Sequence, residues 1–404
     1  MFKLNSRASS MPWTNVAARA QSQTITTALD AKQAALHLHS YLQRQHWDGK
    51  ALGGPDVGIR FNYRIGRFIK GRLRRVRWND SYCYIQAQGY WILCNWLMYS
   101  VFAREEYRHL ATLCSEYVLA QQREDGAWVY PNPEWGGRVA TTEGIWGSLG
   151  LLESYRRTGD WRFRAAAERW YEFVVQKIGF QQIGAELAVN YFHDRKGPRV
   201  PNNSATLLRF LAELADATRQ ESYLQPRDGL LNFLRAVQSS TGEFPYAVKG
   251  QSDGNFRPHF QCYQYNAFAC LDLMRYCELS GDASVVPMIR KVLSFLCQGL
   301  AKDGHSYFDC GNRYREVSYH TAVLAKAFAA ARRFGIQGYE AKASRAYDYL
   351  LKLQRPDGSF GFSRRDCYLF GDPRSYPRNL AMILFHLLPE APHAVPKSIP
   401  EQIH

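Results

Sequence analysis

A segment of about 59 residues recurs six times along this chain, and this repeat constrains the fold more than any other feature. Each copy has a polar loop, an arginine, a few polar residues and then a helix rich in small residues. The arginines are Arg77, Arg138, Arg199, Arg257, Arg315 and Arg374, at intervals of 61, 61, 58, 58 and 59 residues. Such a constant period is typical of architectures in which each unit buries its apolar face against the next unit.

A second set of helices lies between the arginine-led ones and carries an amphipathic pattern. In 106–122, 161–177, 283–300 and 339–354, apolar residues recur at helical spacing while Arg, Glu and Lys occupy the other face. The arginine-led helices have small and aromatic residues on all sides, which predicts that they are buried. We therefore predict an all-α fold, an (α/α)6 toroid with an inner ring of six helices and an outer ring of six.

Each outer helix is followed by a turn that contains glycine, the usual residue at a helix stop. Three of these turns follow the pattern Q-x3-G-x-W/F, beginning at Gln122, Gln238 and Gln354. The pattern resembles the repeat of terpenoid cyclases and protein prenyltransferase β subunits, which are α/α toroids. Two inner-to-outer connections, Tyr155 to Asp160 and Glu278 to Asp282, resemble the TGD turn of (α/α)6 carbohydrate enzymes, which include epimerases, unsaturated-uronyl hydrolases and lyases. The resemblance implies a toroid and leaves two enzyme classes open.

The composition of the chain indicates where in the cell the protein is expected to be. The chain has 51 Lys and Arg against 36 Asp and Glu, a net charge of +15. No run of 18 apolar residues is present, which excludes a transmembrane helix, and the first 25 residues lack the apolar stretch of a secretory signal. Nine cysteines without framework spacing indicate reduced thiols. We expect a cytoplasmic protein, with peripheral membrane contact left open.

Domain boundaries follow from the repeat. We predict a single toroid domain over 31–390, an N-terminal extension over 1–30 and a C-terminal tail over 391–404. Residues 59–78 are an insertion that carries eight Arg or Lys, no acid, and interspersed apolar residues. We predict that this basic inserted loop is a mobile cover over the mouth of the toroid, with little packing. Its composition fits anionic lipid or a polyanionic chain; nucleic acid is unlikely as a partner because no nucleic-acid module is visible.

The long loops of such a toroid lead to the N-termini of the inner helices, around one mouth. We predict that the six arginines point into a common cavity there, where guanidinium groups and helix dipoles favour carboxylates or phosphates. In the alternative interpretation, each arginine ties its own loop to a neighbouring carboxylate. Aromatic residues, including Trp135 and Trp146, are predicted at the same mouth, where they would stack on sugar rings or enclose an isoprenoid.

Polar residues near the start of the inner helices are the candidate catalytic and binding residues. Uronate chemistry needs a group that neutralises the carboxylate, a base that removes the C5 proton, and an acid. Arg199 with Asn202 and Asn203 would neutralise the carboxylate. The candidate bases and acids are Tyr263, Tyr319, His259 and His320. A glycoside hydrolase would instead use two carboxylates, for which Asp80 and Glu143 are the candidates. Helix capping for Asp80, and core packing for His320, are the alternatives.

The prenyltransferase resemblance implies a metal site. Cys262-Tyr263 and Tyr319-His320-Thr321 resemble the zinc-ligand segments of that family, and His259 is the candidate substitute for the family's aspartate ligand. The family's aspartate ligand two residues before the cysteine is Phe260 here, and the cyclase motifs DxDD and DDxxD are absent. No cofactor is therefore expected, with zinc at His259, Cys262 and His320 as the alternative.

Three functions remain open, in order of preference. The first is a carbohydrate-active enzyme that acts on an anionic, uronate-containing glycan by elimination, epimerisation or hydrolysis. The second is an isoprenoid enzyme of the prenyltransferase or terpenoid cyclase type. The third is a non-catalytic toroid that binds polysaccharide or protein. The partner is accordingly predicted to be an anionic glycan or a lipid-linked substrate.

Overall fold

The structure is a computed structural model that describes residues 30–58, 61, 65–73, 76, 78–251, 262–367 and 370–389. Helices dominate this part of the chain. They are α1 (30–45), α2 (Arg67–Arg72), α3 (Ile85–Phe102), α4 (Glu105–Ala120), α5 (Thr141–Thr158), α6 (Trp161–Phe173), α7 (Pro201–Thr218), α8 (Arg227–Val237), α9 (Tyr263–Ser280), α10 (Val286–Leu296), α11 (Ser318–Ala331), α12 (Glu340–Lys352) and α13 (Pro377–Leu387). A π-helical turn, Val174–Ile178, continues α6.

Six of these helices form a closed inner ring. Each of α3, α5, α7, α9 and α11 contacts the next inner helix, and α13 contacts α3. The inner helices bury nearly every side, as the small and aromatic residues of α3 and α5 predict. The outer helices α4, α6, α8, α10 and α12 bury one side each, and α1 completes the outer ring. The predicted (α/α)6 toroid is confirmed.

The Q-x3-G-x-W/F turns join neighbouring outer helices. The Gln122 side-chain amide donates to the carbonyl of Gly126 in its own turn and to the carbonyl of Ala166 in α6. Equivalent bonds run from Gln238 to Gly242 and Met288, and from Gln354 to Gly358 and Ala34. A Cβ atom at any of the three glycines would overlap a backbone carbonyl oxygen of the next outer helix. We call this arrangement the glutamine latch, and it explains why the motif needs both residues.

Short antiparallel pairings tie the loops together around one mouth of the toroid. A residue one or two positions before each of four inner helices pairs with the loop that follows the next outer helix: Ala140 with Phe192, Arg199 with Val248, Cys262 with Asp309, and Val317 with Ser363. We call these pairings the rim. The strands are β1 (Phe180–Ile183), β2 (Glu186–Val189), β3 (Glu316–Val317), β4 (Ser363–Cys367) and β5 (Phe370–Asp372), with β1 paired to β2 and β4 between β3 and β5.

The described part of the basic segment is helical and packs against the rim. Helix α2 contacts β5. The buried guanidinium of Arg67 pairs with Asp366 at 2.7 Å, and the Lys70 ammonium pairs with Asp80 at 2.7 Å. This differs from the sequence expectation of a loop with little packing. Asp366 belongs to the distant strand β4, so the local sequence does not reveal its pairing with Arg67, whereas Asp80 follows Lys70 by only ten residues.

Two further observations concern cysteines and hydropathy. The eight cysteines whose side chains the structure describes are all free thiols. Among the described residues, none of the helices combines the length and hydropathy needed to cross a bilayer.

Candidate active site

A cavity of about 460 Å³ lies at the rim, over the N-terminal ends of the inner helices. All six inner helices contribute to its wall, including Gln86 from α3, Thr142 from α5 and Arg378 from α13. Its aromatic lining consists of Tyr84, Tyr90, Tyr130, Trp135, Trp146, Tyr191, Phe192, Tyr246, Tyr265, Phe268, Phe308, Tyr319 and Phe362. A concave, aromatic cavity of this size is typical of a small-molecule site.

Trp146 forms part of the floor of this cavity. Its indole stacks on the Tyr90 ring at a centroid distance of 3.9 Å. Helices α3 and α5 approach so closely here that a Cβ atom at Gly89 would overlap the Trp146 carbonyl oxygen. Trp146, Phe268 and Asp272 also line a second cavity of about 120 Å³ on the other side of this floor. The inner ring is therefore divided into two compartments.

His320 lies in the first turn of α11 and lines the upper cavity. Its ring is buried against Phe308, at 5.1 Å, and Tyr319, at 4.4 Å, and its Nδ1 atom has no hydrogen-bond partner among the described residues. Burial, and secondarily the positive charge of Arg315, hold the pKa of His320 well below 6.5. The imidazole is therefore neutral near pH 7 and is able to accept a proton.

Arg315 brings a positive charge to the same wall. Its guanidinium lies over the Phe308 ring at 4.1 Å, and its Nε atom is 2.6 Å from a carboxylate oxygen of Asp366. The other oxygen of Asp366 pairs with Arg67. Burial raises the pKa of the neighbouring Tyr319 phenol to about 12, so this phenol stays protonated at neutral pH. A neutral base, a cation and a potential acid are thus close together.

Arg378 provides a second cation from the first turn of α13. Its guanidinium pairs with Asp56 at 2.8 Å, lies over the Tyr84 ring at 4.4 Å, and is 3.7 Å from the Glu143 carboxylate. Burial raises the pKa of Tyr84 above its ordinary value. Because Arg378 is paired with Asp56, its charge is largely compensated within the protein.

Five uncharged side chains of the cavity wall each have a buried polar atom without a hydrogen-bond partner among the described residues. These atoms are His320 Nδ1, Gln264 Oε1, Asn379 Oδ1, Asn132 Oδ1 and Tyr90 Oη. Buried polar atoms are normally paired, because an unpaired one costs about 1–3 kcal/mol. Their convergence on one cavity marks it as a site for a polar ligand.

Of the four predicted arginines that the structure describes, only Arg315 lines the cavity. Arg138 pairs with Asp194, Arg199 with Glu186, and Arg374 with Asp80. This differs from the expectation of a convergent ring and agrees with the alternative, in which each arginine ties its own loop to a carboxylate. Arg77 and Arg257 lie outside the described residues.

The other predicted residues divide into two groups. Tyr319, His320, Asn202, Trp135, Trp146 and Cys262 line the cavity. Asp80, Glu143, Tyr263 and Asn203 do not.

The four residues away from the cavity have other partners. Asp80 precedes α3, which begins only at Ile85, and is held by Lys70 and Arg374. Tyr263 stacks on Phe295 of the outer helix α10. Asn203 is buried and accepts a hydrogen bond from Thr142.

Glu143 caps the first helix of the inner ring. Its carboxylate accepts a hydrogen bond from the backbone N–H of Gln86, at 2.9 Å, in the first turn of α3. The capping group therefore comes from the neighbouring helix α5 rather than from α3 itself.

The structure leaves the zinc hypothesis untested. Cys262 and His320 both line the cavity, whereas His259, the third residue of the hypothesis, lies outside the described residues. Within the described ranges, no group of three or more His, Cys, Asp or Glu side chains is arranged to hold a metal ion.

Three acidic residues of the site were missed by sequence reasoning: Asp56, Asp366 and Asp272 of α9. Asp56 lies in the Gly-Gly-Pro-Asp-Val-Gly turn after α1, and Asp366 lies in β4. The turn composition around Asp56 marks a loop but not its contact with Arg378, 322 residues away. Asp366 belongs to the connection between the outer helix α12 and the inner helix α13, and no sequence motif marks it.

Replacing Glu143 by glutamine is expected to change the pH dependence of stability. Burial raises the pKa of Glu143 from 4.5 to about 7, so the folded protein binds more protons than the unfolded chain between these values. The stability that this group contributes is complete below pH 4.5 and is lost as the pH rises through 7. The variant should therefore gain up to about 3 kcal/mol over the wild type across this interval.

Urea unfolding at pH 4.5 and at pH 7 measures this difference. Glu124→Gln, at an exposed position, is the control and should show no such gain. Parallel stability profiles for Glu143→Gln and the wild type would contradict the assignment.

Comparison with known proteins supports the fold. No protein-family model and no curated protein matches the sequence. A sugar epimerase from a ruminal bacterium is 14% identical, with a TM-score of 0.71 over 89% of this chain and 98% of that chain. Cellobiose 2-epimerase from Bacillus thermoamylovorans is 13% identical, with a TM-score of 0.68 over 89% of this chain and 98% of that chain.

A third solved structure is described as a possible member of the GH105 family, from Salmonella enterica serovar Paratyphi A. It is 14% identical, with a TM-score of 0.63 over 89% of this chain and 92% of that chain. Identities this low show the fold alone. The predicted resemblance to (α/α)6 carbohydrate enzymes is confirmed at that level, and the prenyltransferase resemblance is unconfirmed.

Proposed function

We propose that this protein is a carbohydrate-active enzyme that acts on an anionic, uronate-containing glycan. The observation that carries the proposal is the neutral, buried imidazole of His320 beside the Arg315 guanidinium in an aromatic cavity. The structural neighbours described as epimerases and as a possible GH105 member support an enzyme that acts on sugars.

The proposed chemistry begins with the substrate carboxylate at Arg315. Its positive charge stabilises the negative charge that develops when the C5 proton leaves. His320 accepts that proton and becomes an imidazolium. In elimination, the C5 electron pair forms the C4–C5 double bond, the C4–O bond breaks, and the Tyr319 phenol protonates the leaving oxygen. In epimerisation, a proton returns to C5 from the opposite face.

The carboxylates of the cavity favour proton transfer over hydrolysis. Asp56 is paired with Arg378, and Asp272 accepts hydrogen bonds from Thr206 and Arg209. Both are fixed by partners, whereas hydrolysis needs one carboxyl group that gives up a proton and one that activates water or attacks the sugar. His320 has no such partner among the described residues. Elimination or epimerisation is therefore the proposed reaction.

Solvent deuterium exchange tests this reaction class. The protein is incubated in D2O with uronate oligosaccharides and with neutral oligosaccharides of the same length. Deuterium at C5, or an unsaturated uronyl end, is expected with the uronates alone. Reducing ends that appear without deuterium would indicate hydrolysis instead. Turnover of the neutral sugars at the same rate would contradict the anionic substrate.

Replacing Arg315 by glutamine is expected to raise KM for a uronate substrate by about 10–100-fold, the loss of one charge-assisted hydrogen bond. The acid limb of the pH–rate profile should also move to higher pH, because removing the positive charge raises the pKa of His320. Arg199→Gln is the matched control: it has the same repeat position, and it does not line the cavity. Equal effects of both substitutions, or an unchanged KM for Arg315→Gln, would contradict the role of Arg315.

A further inference from the structure

Three carboxamide side chains of the cavity wall share one property: their oxygen atoms are buried and have no hydrogen-bond partner among the described residues. They are Asn132, Gln264 and Asn379, which are 1%, 2% and 7% exposed. Asn132 precedes the short helical turn Pro133–Trp135, whereas Gln264 and Asn379 lie in the first turns of α9 and α13. A carboxamide oxygen accepts hydrogen bonds and never donates one. We call these three oxygens the acceptor set.

The positions of these side chains offer the oxygens other uses, which the structure does not make of them. Asn132 occupies the N-cap position of the helical turn Pro133–Trp135, where asparagine usually accepts a backbone N–H, but its side chain makes no capping hydrogen bond. The Gln264 amide group donates to the sulfur of Cys262, which fixes the amide end of this side chain and not its oxygen. A buried acceptor without a donor destabilises the protein unless a ligand supplies the donor.

Two hydroxyl donors of the same wall are already used inside the protein. The Thr142 hydroxyl donates to the side-chain oxygen of Asn203 at 3.3 Å. The Thr206 hydroxyl donates to the carboxylate of Asp272 at 2.7 Å. In the described wall, these donors are therefore not free to pair with the acceptor set. The donors that satisfy the acceptor set have to come from the ligand.

Sugar hydroxyl groups are the natural donors for such a wall, and esterification removes them. A free hydroxyl donates one hydrogen bond and accepts others. In an O-acetyl ester the donor is gone and a carbonyl oxygen, which only accepts, takes its place. Two acceptors then face each other, and a site built to pair with a hydroxyl rejects an analogue that lacks it.

We propose that Asn132, Gln264 and Asn379 are specificity-determining residues that select uronate residues with free hydroxyl groups over O-acetylated ones. The inference rests on the proposed function and specifies its substrate: Arg315 meets the carboxylate, and the acceptor set meets the hydroxyl groups. The acceptor set takes no part in the proton transfer, so its effect is on binding.

Calorimetric binding to the full-length His320→Gln variant tests this inference without turnover, because the proposed base is absent and the ligand is not consumed. The ligands are trimers of galacturonate, glucuronate and mannuronate, each unsubstituted and O-acetylated. For the trimer that binds, the O-acetylated form is expected to bind at least about tenfold more weakly, the effect of one buried acceptor left without a donor.

Variants in the same background separate hydrogen bonding from the size of the acetyl group. Gln264→Met and Asn379→Leu keep approximate size and remove the acceptor, so each should lower the ratio of the two dissociation constants by about tenfold. Gln88→Met is the matched control, because Gln88 is a buried glutamine near the start of α3 that bonds to Leu52 and does not line the cavity. Its ratio should stay unchanged. Since the ratio compares two ligands on one protein, a loss of stability does not alter it.

Two results would overturn the inference and leave the proposed reaction in place. One is equal affinity for the unsubstituted and O-acetylated forms of a trimer that binds. The other is an unchanged ratio in both Gln264→Met and Asn379→Leu, which would assign the preference to size alone. Binding of none of the trimers would instead overturn the proposed uronate substrate, and this inference with it.

Discussion

Replacing His320 by glutamine is expected to lower turnover of a uronate-containing glycan by about 10²–10⁴-fold, the usual contribution of a positioned base. Glutamine resembles histidine in size but does not accept a proton at neutral pH. The His320 Nδ1 atom has no hydrogen-bond partner among the described residues, so its loss removes no internal bond at that atom. The variant should therefore fold, bind substrate and fail in the chemical step, which appears as a loss of kcat with little change in KM.

The matched control is His386→Gln. His386 is also buried, both of its ring nitrogens lack hydrogen-bond partners among the described residues, and it lines the second cavity beneath the Trp146 floor. This substitution should cost similar stability and leave turnover unchanged. Full activity of His320→Gln, or equal losses in both variants, would show that His320 is a packing residue. Loss of bound zinc on substitution of His320 would instead support the prenyltransferase interpretation.

The second large effect is expected at the glutamine latch. Gly242 has a φ angle of +103°, and a Cβ atom there would overlap the carbonyl oxygen of Lys291 in α10. Gly242→Ala combines an unfavourable backbone conformation with a clash against fixed backbone, so the free energy of unfolding should fall by about 3 kcal/mol or more.

Gly281→Ala separates the two contributions to this loss. Gly281 has a φ angle of +71°, but a Cβ atom added there would meet no other atom within 4 Å. It should lose only about 1–2 kcal/mol, the conformational part. Urea unfolding of both variants measures the difference. Equal losses would mean that the outer helices separate easily at the latch.

The fold was predictable because the same residues make the same contacts in successive repeats. Gln122, Gln238 and Gln354 sit at the same helix end, and each glycine after them meets the next outer helix. Local spacing therefore determines the contact. The direction of a side chain at the rim is not determined by local spacing, because it depends on which acidic residue a distant segment of the chain places beside it.

The arginines show this limit. Arg199 and Arg315 have the same repeat position, yet Arg199 meets Glu186 of the β1–β2 hairpin while Arg315 extends along the cavity wall to Asp366. The repeat pattern does not distinguish the two arginines, because their acidic partners lie in the β1–β2 hairpin and in the β4–β5 insertion. These insertions differ from one unit to the next and are not part of the repeated pattern. The location of His320 at the cavity wall was predictable, because a position in the first turn of an inner helix does not depend on an insertion.

The Gln354 latch joins the last outer helix, α12, to the first, α1, and we call this junction the seam of the toroid. Gln354 bonds to Ala34 across 320 residues, whereas Gln122 reaches Ala166 across only 44. In an otherwise unfolded chain, the entropy of closing the longer loop costs about 2 kcal/mol more. The Arg378–Asp56 pair spans the same seam, across 322 residues. Closure of the ring and completion of the cavity therefore depend on contacts between the same two distant parts of the chain, and a ligand bound in the cavity would stabilise the closed ring.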